Sequence, residues 1–145
     1  MKIEGRAQLP GTREQVWGLF TDPARLQKLL PGAEELVADG PDRYKVAVKF
    51  GVAAITGKYA GTVELADLKP PASLRLKVES RGTPGFMKGE GALELHAKEH
   101  GTEVHYSGEA QVGGLIASVG QRMIEAAAKK IIHQFFDSAA AELKQ

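Results

Sequence analysis

The sequence predicts an α+β fold in which a curved antiparallel sheet of about seven strands wraps around a long C-terminal helix, with two short helices after strand 1. Three observations lead to this prediction. Several segments before residue 113 alternate between apolar and polar residues, the C-terminal segment has helical spacing, and many of the 17 glycines fall inside the alternating segments. With 145 residues, the chain is expected to form one domain over residues 1–145.

The first strand and the two short helices have local signals of their own. Residues 2–9 alternate strictly between polar and apolar side chains, as a half-buried strand does. Thr12 with Gln15 three residues later forms a capping box, which predicts a helix start. Asp22 followed by Pro23 predicts a second helix start, because Asp is a favoured N-cap and Pro suits the first helical position.

The middle of the chain, from about residue 33 to residue 112, predicts strands and turns. Clusters of Gly and Pro separate its alternating segments, as they do in successive hairpins. One face of each segment is polar, so we expect an antiparallel sheet with one wet face and one covered face. The alternating segments are residues 43–50, 55–65, 74–79, 87–98 and 104–112.

The element expected to cover the sheet is a single helix from Leu115 to Lys144. This stretch contains no Pro and one Gly, and its apolar residues fall at helical spacing. A helix of about thirty residues would be about 45 Å long. The sheet and the helix each have one apolar face to bury, so we expect them to pack together.

We infer that the sheet curls and that its interior is not completely filled. Glycine is unfavourable in a strand, permits sharp curvature and leaves space where a side chain would be. The alternative is that the glycines mark bulges and that the helix packs tightly on them. The small residues expected to face inwards are Gly5, Ala7, Gly57, Gly61, Gly89, Gly91, Gly108 and Ala110.

The expected hollow is apolar, since no Asp, Glu, Lys or Arg falls on the inward face of the predicted strands. Such a cavity favours a hydrophobic, weakly polar ligand. Residues 82–87 are the best candidate for a gate, because two glycines flank a proline and two large apolar side chains follow. An ordinary hairpin turn is the alternative for this loop. The expected polar groups of the hollow are Tyr44, Tyr59 and Tyr106.

The composition excludes several kinds of chemistry. The chain has no cysteine, which removes disulfides, cysteine-zinc sites, iron–sulfur clusters and cysteine nucleophiles. Its 19 basic and 18 acidic residues give a net charge of +1, so no nucleic acid partner is expected. The sequence contains no run of 18 apolar residues that would span a membrane, and its charged N-terminal residues do not resemble a signal peptide.

No catalytic or metal-binding residues are predicted, and we do not expect an enzyme. The carboxylates fall on the outward strand face, in loops or in helices, so none is expected to act inside an apolar cavity. If His100 and Gly101 are the central turn residues, His96 lies opposite His105 on the wet face, about 5 Å away. Two imidazoles fall short of the three or four ligands of a functional metal site.

Short motifs run along the whole chain with characteristic spacing. They include Val16-Trp17, Asp22-Pro23, Pro31-Gly32, residues 61–65, Pro70-Pro71, residues 85–89, residues 112–114, residues 120–122, residues 128–130 and Phe135-Phe136. These motifs resemble those of the CoxG family of carbon monoxide dehydrogenase subunits. The resemblance implies the START-like, helix-grip fold, which is the arrangement inferred above from the residues. It also implies the usual function of that superfamily, which is to hold hydrophobic ligands.

The resemblance further implies accessory work and not catalysis. CoxG-type proteins are associated with molybdenum-containing carbon monoxide dehydrogenases and related hydroxylases. They are linked to bringing the enzyme to the membrane and to handling the lipophilic quinone that accepts its electrons, such as menaquinone or ubiquinone. This chain has Ala33 where many members have a cysteine, and no hydrophobic tail follows the long helix before Gln145. We expect a cytoplasmic protein, or one peripheral at the inner face of the membrane.

Three functions are consistent with the residues and the resemblance. The first is a binding protein for a quinone or similar lipid, in which Tyr59 or Tyr106 orients a carbonyl oxygen. The second is a docking or maturation factor with a filled core, and the third is a cyclase-like enzyme. Arg122, Lys129 and Lys130 form either a basic strip that contacts an anionic membrane surface or a plain solvated helix face.

The residues predicted to bind the ligand are mostly large and apolar. Those on the two short helices are expected either to line the cavity mouth or to belong to the plain core. The full set is Trp17, Phe20, Leu26, Leu30, Val46, Val48, Ile55, Tyr59, Phe86, Met87, Leu93, Tyr106, Leu115, Ile116, Val119 and Met123.

Overall fold

The computed structural model describes residues 1–51 and 56–144. In chain order its elements are β1 (Lys2–Leu9), α1 (Arg13–Thr21), α2 (Pro23–Leu29), β2 (Ala33–Ala38), β3 (Arg43–Phe50), β4 (Gly57–Lys69), β5 (Ser73–Gly82), β6 (Gly85–Lys98), β7 (Gly101–Gly113), a 3-10 segment (Leu115–Val119) and α3 (Gln121–Leu143). All strands pair antiparallel in the order β1-β7-β6-β5-β4-β3-β2. The curved seven-stranded sheet around a C-terminal helix confirms the predicted helix-grip fold.

Both short helices begin where the sequence predicts. The Thr12 hydroxyl accepts a hydrogen bond from the backbone N–H of Gln15 at 3.1 Å, and the Gln15 side-chain oxygen accepts from the Thr12 N–H at 2.8 Å. The Asp22 carboxylate accepts from the backbone N–H of Ala24 at 3.0 Å, with Pro23 at the start of α2. These caps satisfy N–H groups that no helical carbonyl can reach.

Alternation of side chains gives the sheet one covered face and one wet face. In β3, Tyr44, Val46 and Val48 are buried, whereas Arg43 and Lys45 are exposed. The segment predicted from residue 55 is seen as β4 from residue 57, and Ile55 lies outside the described residues. β2, which had been predicted only as part of a strand-rich region, forms one edge of the sheet.

The C-terminal helix is shorter than predicted. The expected start at Leu115 is wrong, because residues 115–119 form a 3-10 segment and α3 begins only after Gly120. Gly120 has φ 99°, a left-handed conformation that does not continue a helix. The 23 residues of α3 span about 35 Å. None of the described helices is long and apolar enough to cross a membrane.

One half of the interior is tightly packed. Leu19, Leu29 and Leu74 are almost fully buried there, between α1, α2, the sheet and the C-terminal half of α3. Phe20 of α1 contacts Phe135 of α3 with ring centroids 5.6 Å apart. Aromatic contacts of this kind stabilise beyond the area they bury. This filled half anchors α3 to the sheet.

Truncation in the filled half should therefore cost more than truncation under the N-terminal half of α3. We expect Leu19→Ala to lower the free energy of unfolding by about 2–5 kcal/mol. Ile132→Ala should cost less than half as much, because this half-buried side chain borders empty space. Urea denaturation of both variants measures the difference, and equal losses would show that the two halves are packed alike.

Candidate functional site

A cavity of about 280 Å³ lies between the inner face of the sheet and the first turns of α3. This volume is near the lower end of the range for small-molecule sites. On the sheet side its walls include Val46, Val48, Val63, Val78, Ser80 and Val112. On the helix side they are Ile124, Ala127, Ala128, Ile131 and Ile132. The walls are almost wholly apolar.

Small side chains on both walls leave this space empty. α3 presents Ala127 and Ala128 to the cavity, and β6 presents Gly89. A Cβ atom at Gly89 would meet no atom closer than 3.8 Å, so this glycine opens onto free space. Gly61 and Gly108 are different, because a Cβ there would collide with a backbone carbonyl of the neighbouring strand. Glycine thus leaves space at one position and permits close backbone approach at others.

The structure brings four of the predicted binding residues together in the cavity wall: Leu30, Val46, Val48 and Met87. Ile116 and Tyr59 are buried in the adjoining apolar cluster, without lining the cavity. Burial raises the pKa of Tyr59. Ligand contact by any of these residues stays a prediction.

Other predicted binding residues lie away from the cavity. For those on the two short helices this matches the alternative that they belong to the plain core, and for the others the expected placement is wrong. Those in the filled half are Trp17, Phe20, Leu26, Leu93 and Tyr106. Tyr106 stacks on Phe136 at 5.2 Å and its ring covers Gly5, so it is engaged in packing. Phe86 lies on the outer face, under the Arg81 guanidinium at 5.5 Å from the ring centroid. Tyr44, expected as a polar group of the hollow, also belongs to the filled half.

The wall contains residues that were not predicted to bind a ligand, above all Ser80. The alternation of Leu74, Leu76 and Val78 on β5 continues by one step to Ser80, so extending that pattern past residue 79 would have found it. Lys88 also borders the cavity, but its ammonium lies 3.9 Å from the Glu79 carboxylate on the outer face. Ser80 is therefore the polar side chain that the described wall offers to a ligand.

Exposed apolar side chains project near one end of the sheet. In the 3-10 segment Leu115 is 73% exposed and Val119 42%, and Met123 in the first turn of α3 is 49% exposed. We call these three residues the apolar tip. They were predicted to bind the ligand, and their expected inward orientation is wrong. The Ile116 N–H donates to the Pro84 carbonyl at 2.8 Å, which ties the tip to the predicted gate loop between β5 and β6.

A group of basic residues lies at the same end, on the outer face of the sheet. Lys49 on β3 is directly opposite Lys58 on β4, and Arg81 and Lys88 follow on β5 and β6. We call these four exposed residues the basic rim. Within the described chain, no carboxylate lies within 4 Å of the Lys49 or Lys58 ammonium groups. Like charges directly opposite each other destabilise a sheet, so the Lys49–Lys58 pair is unfavourable for the fold itself.

A second cluster of polar side chains lies on the outer face of β6 and β7. The predicted pairing of His96 with His105 is wrong: His96 pairs with Glu103, and Glu94 with His105, because Lys98 and Gly101 close the turn. The shift of two residues keeps both rings on one face, with centroids 4.1 Å apart. A hydrogen bond from His105 lowers the pKa of Glu103. Ligand atoms of Glu94, His96 and His105 lie within 4.8 Å of one another.

Solved structures share this architecture. A conserved protein from Geobacillus kaustophilus is 37% identical, with a TM-score of 0.96 over 99% of this chain and 95% of its own. A protein from Chromobacterium violaceum is 19% identical, with a TM-score of 0.72 over 99% of this chain and 98% of its own. A protein from Thermus thermophilus is 14% identical, with a TM-score of 0.73 over 99% and 97%. The latter two are similar in fold alone.

The family comparison covers nearly the whole sequence. No curated protein matches the chain. Residues 5–144 match the CoxG family of carbon monoxide dehydrogenase subunits, which confirms the resemblance inferred from the motifs. The family is one of accessory subunits and thereby connects the chain with carbon monoxide dehydrogenase. The chain belongs to the carbon monoxide dehydrogenase CoxG family.

Proposed function

We propose that this protein binds a quinone or a similar isoprenoid lipid in its cavity and thereby serves a molybdenum-containing enzyme of the carbon monoxide dehydrogenase type. The observation that carries the proposal is the apolar cavity of about 280 Å³ under the first turns of α3. Ile124, Ile131 and Ile132 turn apolar side chains towards this space and remain only half-buried. A hydrophobic ligand would cover them.

Burial of apolar surface supplies the driving force for such binding. A ligand that buries about 300 Å² of apolar surface gains about 7.5 kcal/mol. Association costs offset part of this gain, so the ligand remains exchangeable. An exchangeable ligand suits a protein that passes a quinone between a membrane and an enzyme. The hollow half of the interior supports this proposal over a docking factor with a filled core.

The composition of the wall supports a role without catalysis. Among the described residues that line the cavity there is no carboxylate, histidine or arginine, the groups that a cyclase-like reaction would use for proton transfer. Tyr59 and Tyr106 do not line it either. Ligand binding without chemical change is therefore the function we propose for this cavity.

The apolar tip and the basic rim support peripheral contact with an anionic membrane. A basic residue near an anionic lipid surface contributes about 1 kcal/mol. Exposed apolar side chains flanked by basic ones are typical of segments that enter the headgroup region. Both features lie next to the predicted gate at residues 82–87, where Gly82 pairs with Gly85 and residues 83–84 form a hairpin turn, so membrane contact would place a lipid source beside the cavity.

Filling the cavity should prevent ligand uptake while the protein stays folded. In Gly89→Leu the new side chain enters open space, because a Cβ atom there meets no atom closer than 3.8 Å. A ligand must displace this side chain at a cost of about 1–3 kcal/mol, which lowers the affinity about fivefold to 150-fold. Organic extraction followed by mass spectrometry should recover a quinone or lipid from the wild type and not from this variant. Uptake of added menaquinone or ubiquinone measures the affinity.

The matched control for the filling variant is Ala60→Leu, which places the same leucine side chain on the exposed face of the sheet. It should take up quinone like the wild type. Equal uptake by Gly89→Leu and the wild type would overturn the assignment of the cavity. An empty wild-type extract without uptake of added quinone would favour the docking factor.

Removal of charge from the basic rim should weaken binding to anionic vesicles. Replacing both Lys49 and Lys58 by alanine removes about 2 kcal/mol, or about 25-fold in affinity. The control replaces Lys45 and Lys77, exposed lysines nearer the other end of the same face, and should change binding much less. Cosedimentation with vesicles of phosphatidylcholine and phosphatidylglycerol measures both. Equal losses in the two double variants would contradict a localised membrane contact.

A further inference from the structure

We propose that Ser80 selects the ligand by hydrogen bonding, through its hydroxyl, to one neutral oxygen atom of an otherwise apolar molecule. This inference rests on the proposed function and makes it more specific. It assigns the ligand to a chemical class, namely ketones, quinones and alcohols, and excludes hydrocarbons and anions as preferred ligands.

Ser80 is held in the wall by its position in the sheet. It follows Leu74, Leu76 and Val78 on the inner face of β5 and is only 7% exposed. Its strand neighbours are Gly61 on β4 and Met87 on β6. Gly61 allows the backbones of β4 and β5 to approach closely beside Ser80, since a Cβ atom at Gly61 would collide with the Glu79 carbonyl.

The Ser80 hydroxyl has no partner within the described part of the chain. None of the hydrogen bonds made there involves it. Every fully buried side-chain oxygen or nitrogen of the described residues has a hydrogen-bond partner. The Ser80 oxygen has none and is therefore not fully enclosed, and we infer that it opens onto the cavity that Ser80 lines. A hydroxyl in an apolar space is poorly satisfied until a partner arrives.

The other buried hydroxyl of the described chain shows the contrast. Thr102 is fully buried and donates to the Gly11 carbonyl at 2.8 Å. Its hydroxyl therefore has a structural role that explains its presence. Nothing in the described fold explains the Ser80 hydroxyl in the same way, which leaves ligand recognition as its role.

The chemical class follows from what surrounds the hydroxyl. A hydroxyl both donates and accepts, so it pairs with a carbonyl or an alcohol oxygen. Both cations that border the described wall are already engaged: the Met1 ammonium donates to the Ala110 carbonyl at 2.9 Å, and the Lys88 ammonium lies beside Glu79 on the outer face. A carboxylate or phosphate in the cavity would therefore be poorly neutralised, and a buried unpaired charge is strongly disfavoured. A site with one hydrogen-bonding group discriminates against an analogue that lacks the matching atom.

Three probes of one shape test this selectivity by calorimetry: menadione with two carbonyl oxygens, methylnaphthalene with none, and naphthoate with a charge. The wild type should bind menadione about tenfold more tightly than methylnaphthalene. Ser80→Ala should weaken menadione binding about fivefold to tenfold and leave methylnaphthalene unchanged. Naphthoate should bind most weakly to both proteins.

Stability provides a readout that requires no ligand. Ser80→Ala removes a hydroxyl without a partner in the described chain and should leave the melting temperature unchanged or raised. Thr102→Val, which breaks the bond to Gly11, should lower it. A fall in melting temperature for Ser80→Ala would indicate a structural role for the hydroxyl and would overturn the inference.

The binding outcomes separate the two proposals. If the wild type binds menadione and methylnaphthalene equally, or if Ser80→Ala weakens both equally, the role of Ser80 is wrong and the cavity remains a binding site. If the wild type binds neither probe, the proposed function and this inference both fail. Preference for naphthoate would overturn the assignment to neutral ligands.

Discussion

Aromatic packing at one end of the interior sets the distance between α3 and the sheet. Phe20, Phe135, Phe136 and Tyr106 form ring contacts with centroids 5.2 to 5.6 Å apart. A helix is stiff, so the spacing imposed by these rings extends along α3 towards its N-terminus. There the small residues Ala127, Ala128 and Gly89 on the facing walls leave part of the gap unfilled. The cavity is thus a consequence of the packing beside it.

The same end of the molecule combines three features that bear on function. The cavity reaches the start of α3, the apolar tip spans the 3-10 segment and the first turn of that helix, and the basic rim lies on the adjoining outer face. At the opposite end, Arg75 contacts Glu90 at 3.2 Å and Arg43 contacts Asp39 at 3.7 Å. In the basic rim Lys88 contacts Glu79 at 3.9 Å, whereas Lys49 and Lys58 have no carboxylate that close among the described residues. This asymmetry gives the protein one end suited to stability and one suited to exchange with a hydrophobic or anionic partner.

Much of the fold was predictable because its signals are local. Side-chain alternation, the capping box at Thr12 and the Asp22-Pro23 pair act within a few residues, and all were confirmed. The predicted β6–β7 register was wrong by two residues. A shift of two residues keeps every side chain on the same face, so the alternation in the sequence does not reveal it. The break at Gly120 was also missed, since helical spacing continued on both sides of it.

The sequence by itself determined the order of elements, the covered face of the sheet, the family and the apolar character of the interior. Only the tertiary structure decided which inward residues border space and which are packed: Gly89 opens onto the cavity, Tyr106 is stacked, and Ser80 has no hydrogen-bond partner among the described residues. Alternation says on which side of a strand a side chain lies, but not what lies opposite. That depends on where α3 comes to rest, and its position is set by contacts between residues more than a hundred positions apart in the chain.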